Sequence, residues 1–253
     1  MKTEILDKNY KELINKFIEI SNMKFVKGVN DSYNSIGLTF EHLLKKKSDS
    51  LMFPDYNGIE IKCSSRYSRY DYSLFTLAFD GPDFFEMNRL LEKYGEQDKV
   101  YSEKKILMCN LYYGRKVLAN NKYYFELSMD QEKIFLNIYD INKRLIDVGA
   151  YILFSTLESR VKIKLSKVAF VWGSKKDING DKYFRYYKLQ LAELKSFQTF
   201  VDMIKNRDMS ITLMGRVSRS GIKEGKQRNK NFAFKLPKNN VEKLFNIIYS
   251  NDF

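Results

Sequence analysis

Asp55 stands five residues before Glu60, and Lys62 follows two residues after it, within Pro54-Asp55-Tyr56-Asn57-Gly58-Ile59-Glu60-Ile61-Lys62. Two ionised carboxylates converging on one point bind a hard divalent cation such as Mg2+, which keeps some of its waters and can take a phosphate oxygen as a further ligand. Such an ion neutralises charge developing on a phosphoryl transition state and acidifies a bound water, so in-line attack on phosphorus becomes feasible near neutral pH. A lysine beside the carboxylates can orient that water or stabilise the phosphate oxygens. Read without its surroundings, an alternating Glu-x-Lys triplet is also a common pattern of solvated edge strands.

Composition removes most competing chemistries. The chain of 253 residues has one histidine, His42, which excludes schemes needing two imidazoles. Its two cysteines, Cys63 and Cys109, are too few for a disulfide framework or a four-cysteine zinc site, and fit a reducing cytoplasm. Lys and Arg number 44 against 31 Asp and Glu, a net charge of +13 that attracts polyanions, nucleic acid first among them. The first twenty residues are studded with Lys and Glu, so neither a signal peptide nor a membrane anchor is expected. With 44% hydrophobic residues the chain can build the core of one large domain or two small ones.

The elements that must position these residues follow from periodicity. Ile5, Leu6, Tyr10, Leu13, Ile14, Phe17 and Ile18 predict an amphipathic helix near residues 3–21. Leu38, Phe40, Leu43 and Leu44 predict a second helix that contains Glu41 and ends in the run Lys45 to Lys47. The alternation from Gly58 to Cys63 predicts a strand with one wet face, shared by Glu60 and Lys62. A strand over 73–79 leads to a helix capped by Asp83, burying Phe84, Leu90 and Leu91 and closed by Gly95. Short aromatic and β-branched runs at 106–113, 123–128, 134–139 and 145–153 predict antiparallel strands.

Ser155 and Glu158 form a capping-box pattern before a helix carrying Leu157, Val161 and Leu165. Strands at 168–172 and 183–191 are joined through Asn179-Gly180, a hairpin signal. A helix with Phe197, Phe200, Val201 and Ile204, strands at 211–217 and 232–236, and a final helix over 241–249 complete the pattern.

The Pro-Asp, Glu-x-Lys spacing is the PD-(D/E)XK arrangement. Together with Gly37-Leu38-Thr39-Phe40-Glu41-His42-Leu43-Leu44 and Leu74-Phe75-Thr76, it resembles the MvaI/BcnI restriction endonucleases, MutH-like PD-(D/E)XK nucleases. Weaker echoes at 90–95, 151–165, 182–187 and 215–234 extend the likeness over most of the chain. The resemblance implies a type II restriction endonuclease that hydrolyses duplex DNA at a short specific sequence with Mg2+, for which Mn2+ could substitute. Asp55 and Glu60 would hold the metal, and Lys62 and Glu41 would complete the catalytic set. It also implies a monomer on double-stranded DNA and a cognate DNA methyltransferase in the host. A MutH-like strand-nicking enzyme and a catalytically inactive sequence-specific DNA-binding protein are the alternatives. A pI near 9.4 and eighteen tyrosines would also suit an RNA-binding protein, but no RNA-binding signature is present.

The expected fold is mixed α/β, a PD-(D/E)XK core with a central mixed sheet flanked by helices, plus a β-rich DNA-recognition lobe across a cleft. Residues 1–110 with parts of 145–195 would form the catalytic lobe, and roughly 196–253 with parts of 111–144 the recognition lobe. Arg66 and Arg69, just after the catalytic strand, are candidate phosphate clamps. Arg216, Arg219, Ser220, Lys223, Lys226, Arg228 and Lys230 crowd a basic hairpin with one acid, Glu224. Arginine there can pair with guanine while lysine and serine meet phosphates, although a merely solvated basic loop has the same composition. Arg228 and Lys230 stand where the family would lead one to expect histidine, which leaves room for a different target.

Overall fold

The structure is a computed structural model that describes residues 6–32, 34–45, 53–83, 85–219 and 223–253. Its first elements are α1 (Lys8–Asn22), β1 (Val26–Lys27), α2 (Ser35–Leu43), β2 (Glu60–Ser65), β3 (Tyr72–Leu77) and α3 (Glu86–Tyr94). Short strands follow: β4 (Glu96–Gln97), β5 (Lys105–Leu111), β6 (Val117–Ala119), β7 (Tyr123–Met129), β8 (Lys133–Tyr139) and β9 (Leu145–Leu153). The rest comprises α4 (Phe154–Leu165), β10 (Lys167–Ile178), β11 (Asp181–Leu194), α5 (Phe197–Lys205), β12 (Ser210–Val217), β13 (Gln227–Leu236), α6 (Val241–Leu244) and β14 (Phe245–Asp252). The architecture is mixed α/β. Met1–Tyr72, Val161–Phe197 and Val241–Phe253 form one compact unit, and Ser73–Arg160 with Gln198–Asn240 form a second.

The first unit is built on a mixed sheet ordered β1-β11-β10-β2, with β14 also paired to β11. β10 and β11 form the expected hairpin, and Asn179 and Gly180 take the two positive φ values, 52° and 86°, that such a tight turn requires. β2 runs parallel to β10, with Glu60 opposite Val168. Helix α1 starts where the Asp7 carboxylate accepts the Tyr10 N–H at 3.0 Å, and it buries Tyr10, Leu13, Ile14 and Phe17. These residues join Phe40 of α2, Ile61 of β2 and Tyr186 of β11 in one core. Leu38, expected on the apolar face of α2, is exposed instead. Ile5, Lys46, Lys47 and Phe84, used in the sequence-based expectations, lie outside the described residues.

The expected C-terminal helix and the Ser155 capping box fail for identifiable reasons. Residues 241–249 are helical only to Leu244; from Phe245 the chain pairs antiparallel with β11, register Leu194 opposite Phe245. Val241, Leu244, Phe245 and Ile248 do have helical spacing, but Ile247, Ile248 and Tyr249 are also good strand formers, and the β11 ladder decides between the two. Helix α4 begins at Phe154, so Ser155 already lies inside it. Asp80 receives the Leu153 N–H at 2.8 Å and the Thr156 hydroxyl at 3.0 Å, taking over the start of the helix.

The second unit contains the sheets β3-β13-β12-β5-β4 and β6-β7-β8-β9. Its core is aromatic: the rings of Phe75 and Phe234 lie 4.8 Å apart, as do those of Phe79 and Phe232. Helix α3 approaches β12 so closely at Gly215 that a Cβ there would fall 2.5 Å from Met87 Cε.

One turn bears directly on the carboxylates of the first unit. Tyr56 and Ile59 exchange backbone hydrogen bonds of 2.9 and 2.7 Å across Asn57 and Gly58, whose φ values are 44° and 80°. Helix α1 pins the turn, Asn9 donating to the Asn57 carbonyl and Asn57 donating to Glu12, both at 3.0 Å. A Cβ on Gly58 would meet nothing within 4 Å, so substitution acts through the backbone alone. Gly58→Ala is therefore expected to cost about 1 kcal/mol of stability in urea unfolding. Gly58→Asn, which tolerates positive φ better, should cost less, and equal stability of all three proteins would contradict the assignment.

Candidate active site

Glu60 opens β2 and is only 4% exposed, so the face it shares with Lys62 is enclosed rather than wet. Parallel pairing with β10 brings the end of α4 alongside, and its lysine covers the carboxylate. Glu60 Oε1 accepts from Lys62 Nζ at 2.7 Å, and Oε2 accepts from Lys164 Nζ at 2.9 Å. The Lys62 and Lys164 side chains are 13% and 8% exposed. Lys164 also donates to the Phe53 carbonyl at 2.6 Å. A buried carboxylate is tolerated when countercharge and hydrogen bonds replace water, and here both its oxygens receive an ammonium.

Asp55 is joined to the same strand by its backbone: Asp55 Oδ2 accepts the N–H of Ile61 at 2.9 Å. The Asn57-Gly58 turn makes this possible by folding the chain back between the two carboxylates. Glu41 comes from α2. A Cβ built on Gly37, one turn before Glu41, would lie 3.8 Å from Cys63 Cβ and 4.0 Å from Glu41 Oε1. Burial first, then the negative charges of Glu41 and Asp55, push the Cys63 thiol well above its ordinary value. The raised value favours the protonated thiol at Cys63.

Among the described residues no group of three or more His, Cys, Asp or Glu side chains forms a metal cage. The hard oxygens of Asp55 and Glu60 nevertheless fit a small divalent cation of the Mg2+ kind, which is commonly held by one or two carboxylates with substrate phosphate and water. The cationic partners around Glu60 show that this carboxylate already favours positive charge.

Lys164 was missed in the sequence. Its signal is positional: it lies three residues after Val161 and seven after Leu157, on the buried face of α4, where a lysine is unusual. The Asn57-Gly58 dipeptide was a second available signal.

The basic residues fall in both units. Arg66 and Arg69 are exposed just beyond β2, and the Arg66 guanidinium lies 5.7 Å from the Tyr67 ring centroid. In the second unit β12 and β13 form the basic hairpin, with Arg216 directly opposite Arg228. Lys223 and Lys226 are exposed, and Ser220 lies outside the described residues. Arg219 is engaged: its guanidinium forks onto the buried Asp98, Nη1 to Oδ1 at 2.7 Å and Nη2 to Oδ2. That hydrogen bonding from Arg219 holds the Asp98 carboxyl well below its usual range, so this edge of Arg219 organises the loop.

A bulge between Met214 and Gly215 leaves Lys230 between Asn229 and Asn231, which pair with Gly215 and Met214. Partial burial first, then Arg228, Arg216 and Lys235, lower the Lys230 pKa. Like charges gathered in this way raise the local positive potential.

Residues 14–245 match the MvaI/BcnI restriction endonuclease family, and the chain belongs to that family. It is a type II restriction endonuclease, a site-specific deoxyribonuclease. It is similar to the solved structure described as the restriction endonuclease MvaI-cognate DNA substrate complex, with 25% identity over 96% of this chain and 100% of that one and a TM-score of 0.88. For MvaI in the absence of DNA the identity is 25%, the coverage 97% and 98%, and the TM-score 0.58. No curated protein matches the chain. No helix among the described residues is long and apolar enough to cross a membrane.

The lowered Lys230 pKa gives a test of the hairpin. A phosphate bound beside Lys230 would restore its affinity for the proton, so binding through Lys230 should be strongest below the free-state pKa and weaken as pH rises through it. Between about pH 7 and 10, anisotropy titrations at fixed salt in EDTA should show wild-type affinity falling more steeply than that of Lys230→Arg, which stays charged. Parallel profiles would remove Lys230 from the interface.

Proposed function

We propose that the first unit hydrolyses a DNA phosphodiester at the site formed by Asp55, Glu60 and Lys62 with Glu41, while the second unit reads the duplex sequence through its basic hairpin. The observation that carries this reading is the enclosed Glu60 carboxylate, clasped by two ammonium groups and followed in the chain by the N–H that Asp55 binds. Mg2+, or Mn2+ in its place, when bound supplies charge neutralisation and an acidified water. Asp55 and Glu60 would hold that ion, consistent with the general metal dependence of restriction endonucleases. Lys62 orients the water or steadies the phosphate oxygens, and Glu41 adds negative charge on the α2 side of β2.

Arg66 and Arg69 grip the backbone next to the scissile phosphate, and Arg216, Arg228 and Lys230 face base edges and phosphates. Lys223, Lys226 and Ser220 contribute backbone contacts, and Arg219 shapes the loop through Asp98. The substrate is double-stranded DNA, bound by a monomer in the cytoplasm of a host whose cognate methyltransferase protects the same sequence.

Supercoiled plasmid incubated with Mg2+ tests the chemistry. Asp55→Ala and Glu60→Ala should abolish cleavage while gel shifts in EDTA keep their affinity, and Lys62→Ala should slow single-turnover cleavage by about a hundredfold. Linear product identifies double-strand cleavage, open circles identify a nicking enzyme, and unchanged plasmid across many sequences leaves a DNA-binding protein. Full activity in either carboxylate variant would sink the site.

Reading and gripping separate in a second comparison. Arg216→Ala should relax sequence discrimination, whereas Lys226→Ala should weaken all sequences alike and reduce the slope of log K against log salt by roughly one. An unchanged slope would contradict a phosphate contact at Lys226.

A further inference from the structure

We propose that Lys164 is a positioning residue of the cleavage site, holding the segments that carry Asp55 and Glu60 in fixed relation through one buried ammonium. This rests on the reading of Asp55, Glu60 and Lys62 as that site. Lys164 Nζ lies 2.9 Å from Glu60 Oε2 and 2.6 Å from the carbonyl of Phe53, two residues before Asp55. It therefore bridges both ends of the Asn57-Gly58 turn segment. The side chain is 8% exposed, so these bonds are made away from competing water.

Charge and connectivity separate this role from an ordinary buried ion pair. Glu60 already has a cation in Lys62, so a second ammonium is not needed to neutralise it. With Asp55 and Glu41 the set becomes three anions and two cations, so one negative charge remains for a metal ion to meet. The two lysines are also held differently. Lys62 leaves the strand beside Glu60 and is bonded to its carboxylate, whereas Lys164 is fixed at two points and rooted in α4. From Lys164 the chain passes directly into β10, which pairs with β2 and sets Val168 opposite Glu60. Lys62 can thus turn toward a phosphate while Lys164 keeps the Glu60 carboxylate in place.

Lys164→Met, Lys164→Gln and Lys164→Arg provide the test, read by single-turnover cleavage across a Mg2+ titration and by DNA binding and thermal unfolding in EDTA. Lys164→Met should keep its DNA affinity in EDTA but lose about 10- to 100-fold in rate at saturating Mg2+, with a higher Mg2+ midpoint, as removal of a ligand's supporting partner does. Lys164→Arg should regain part of that rate. Lys164→Gln, which keeps a donor for the Phe53 carbonyl, should show the same direction of change and serves where Met prevents folding. In EDTA the melting-temperature loss caused by Lys164→Met should shrink when Glu60 is already Gln.

Wild-type rate and Mg2+ midpoint in Lys164→Met or Lys164→Gln, a lowered midpoint at unchanged rate, or strictly additive melting shifts would overturn the proposal. If Glu60→Ala is inactive while Lys164→Met cuts normally, only the role of Lys164 falls. Cleavage by Glu60→Ala would instead remove the site assignment on which it rests.

Discussion

A carboxylate moved out of water is stable only where charge and hydrogen bonds replace the lost solvation, and Glu60 imposes that demand on the first unit. Lys62 meets part of it from the same strand. Lys164 meets the rest, which requires α4 to end beside β2 and β10 to run parallel to it. The Asn57-Gly58 turn, held by Asn9 and Glu12 of α1, then returns the chain so that Asp55 reaches the N–H of Ile61. Helix, turn and parallel strand pair can each be understood as support for one buried charge.

Much of this was legible in the sequence because it is local. Asp55, Glu60 and Lys62 lie within eight residues, and alternation alone puts the last two on one face. The hairpin at Asn179-Gly180 is legible for the same reason, since a dipeptide that accepts positive φ sets its own geometry. Whether a strand face is wet or enclosed is not a local property, and so the burial of Glu60 was not legible. Lys164 hides because a lysine in a helix normally reads as a solvated residue. The final helix was misread because Val241, Leu244, Phe245 and Ile248 satisfy the helical period, while the competing partner, β11, lies some fifty residues earlier. The pairing of Arg219 with Asp98, 121 positions away, has no local signal either.

The basic hairpin obeys the opposite logic to the Glu60 cluster. Around Glu60 charges are compensated; around Lys230 they are concentrated, with Arg216 facing Arg228 across the ladder and Lys235 nearby. The aromatic packing of Phe75, Phe200 and Phe234, and the close approach of α3 at Gly215, supply the rigid support that such repulsion requires. Arg219 belongs to that support, since its pairing with Asp98 fixes the base of the loop. The second unit thus concentrates positive charge on its β12–β13 hairpin.

The pairing of Glu60 with Lys164 also ties the buried carboxylate to a part of the chain made much later. The two residues are 104 positions apart, and the intervening chain includes Ser73–Arg160, a large part of the second unit. Contacts of such long sequence separation form late and slowly compared with helices and hairpins. A nascent chain that has emerged only through β2 carries Asp55, Glu60 and Lys62 but has no second ammonium and no β10 to pair with. Chain topology therefore leaves the Glu60 carboxylate without its second ammonium until α4 has been made.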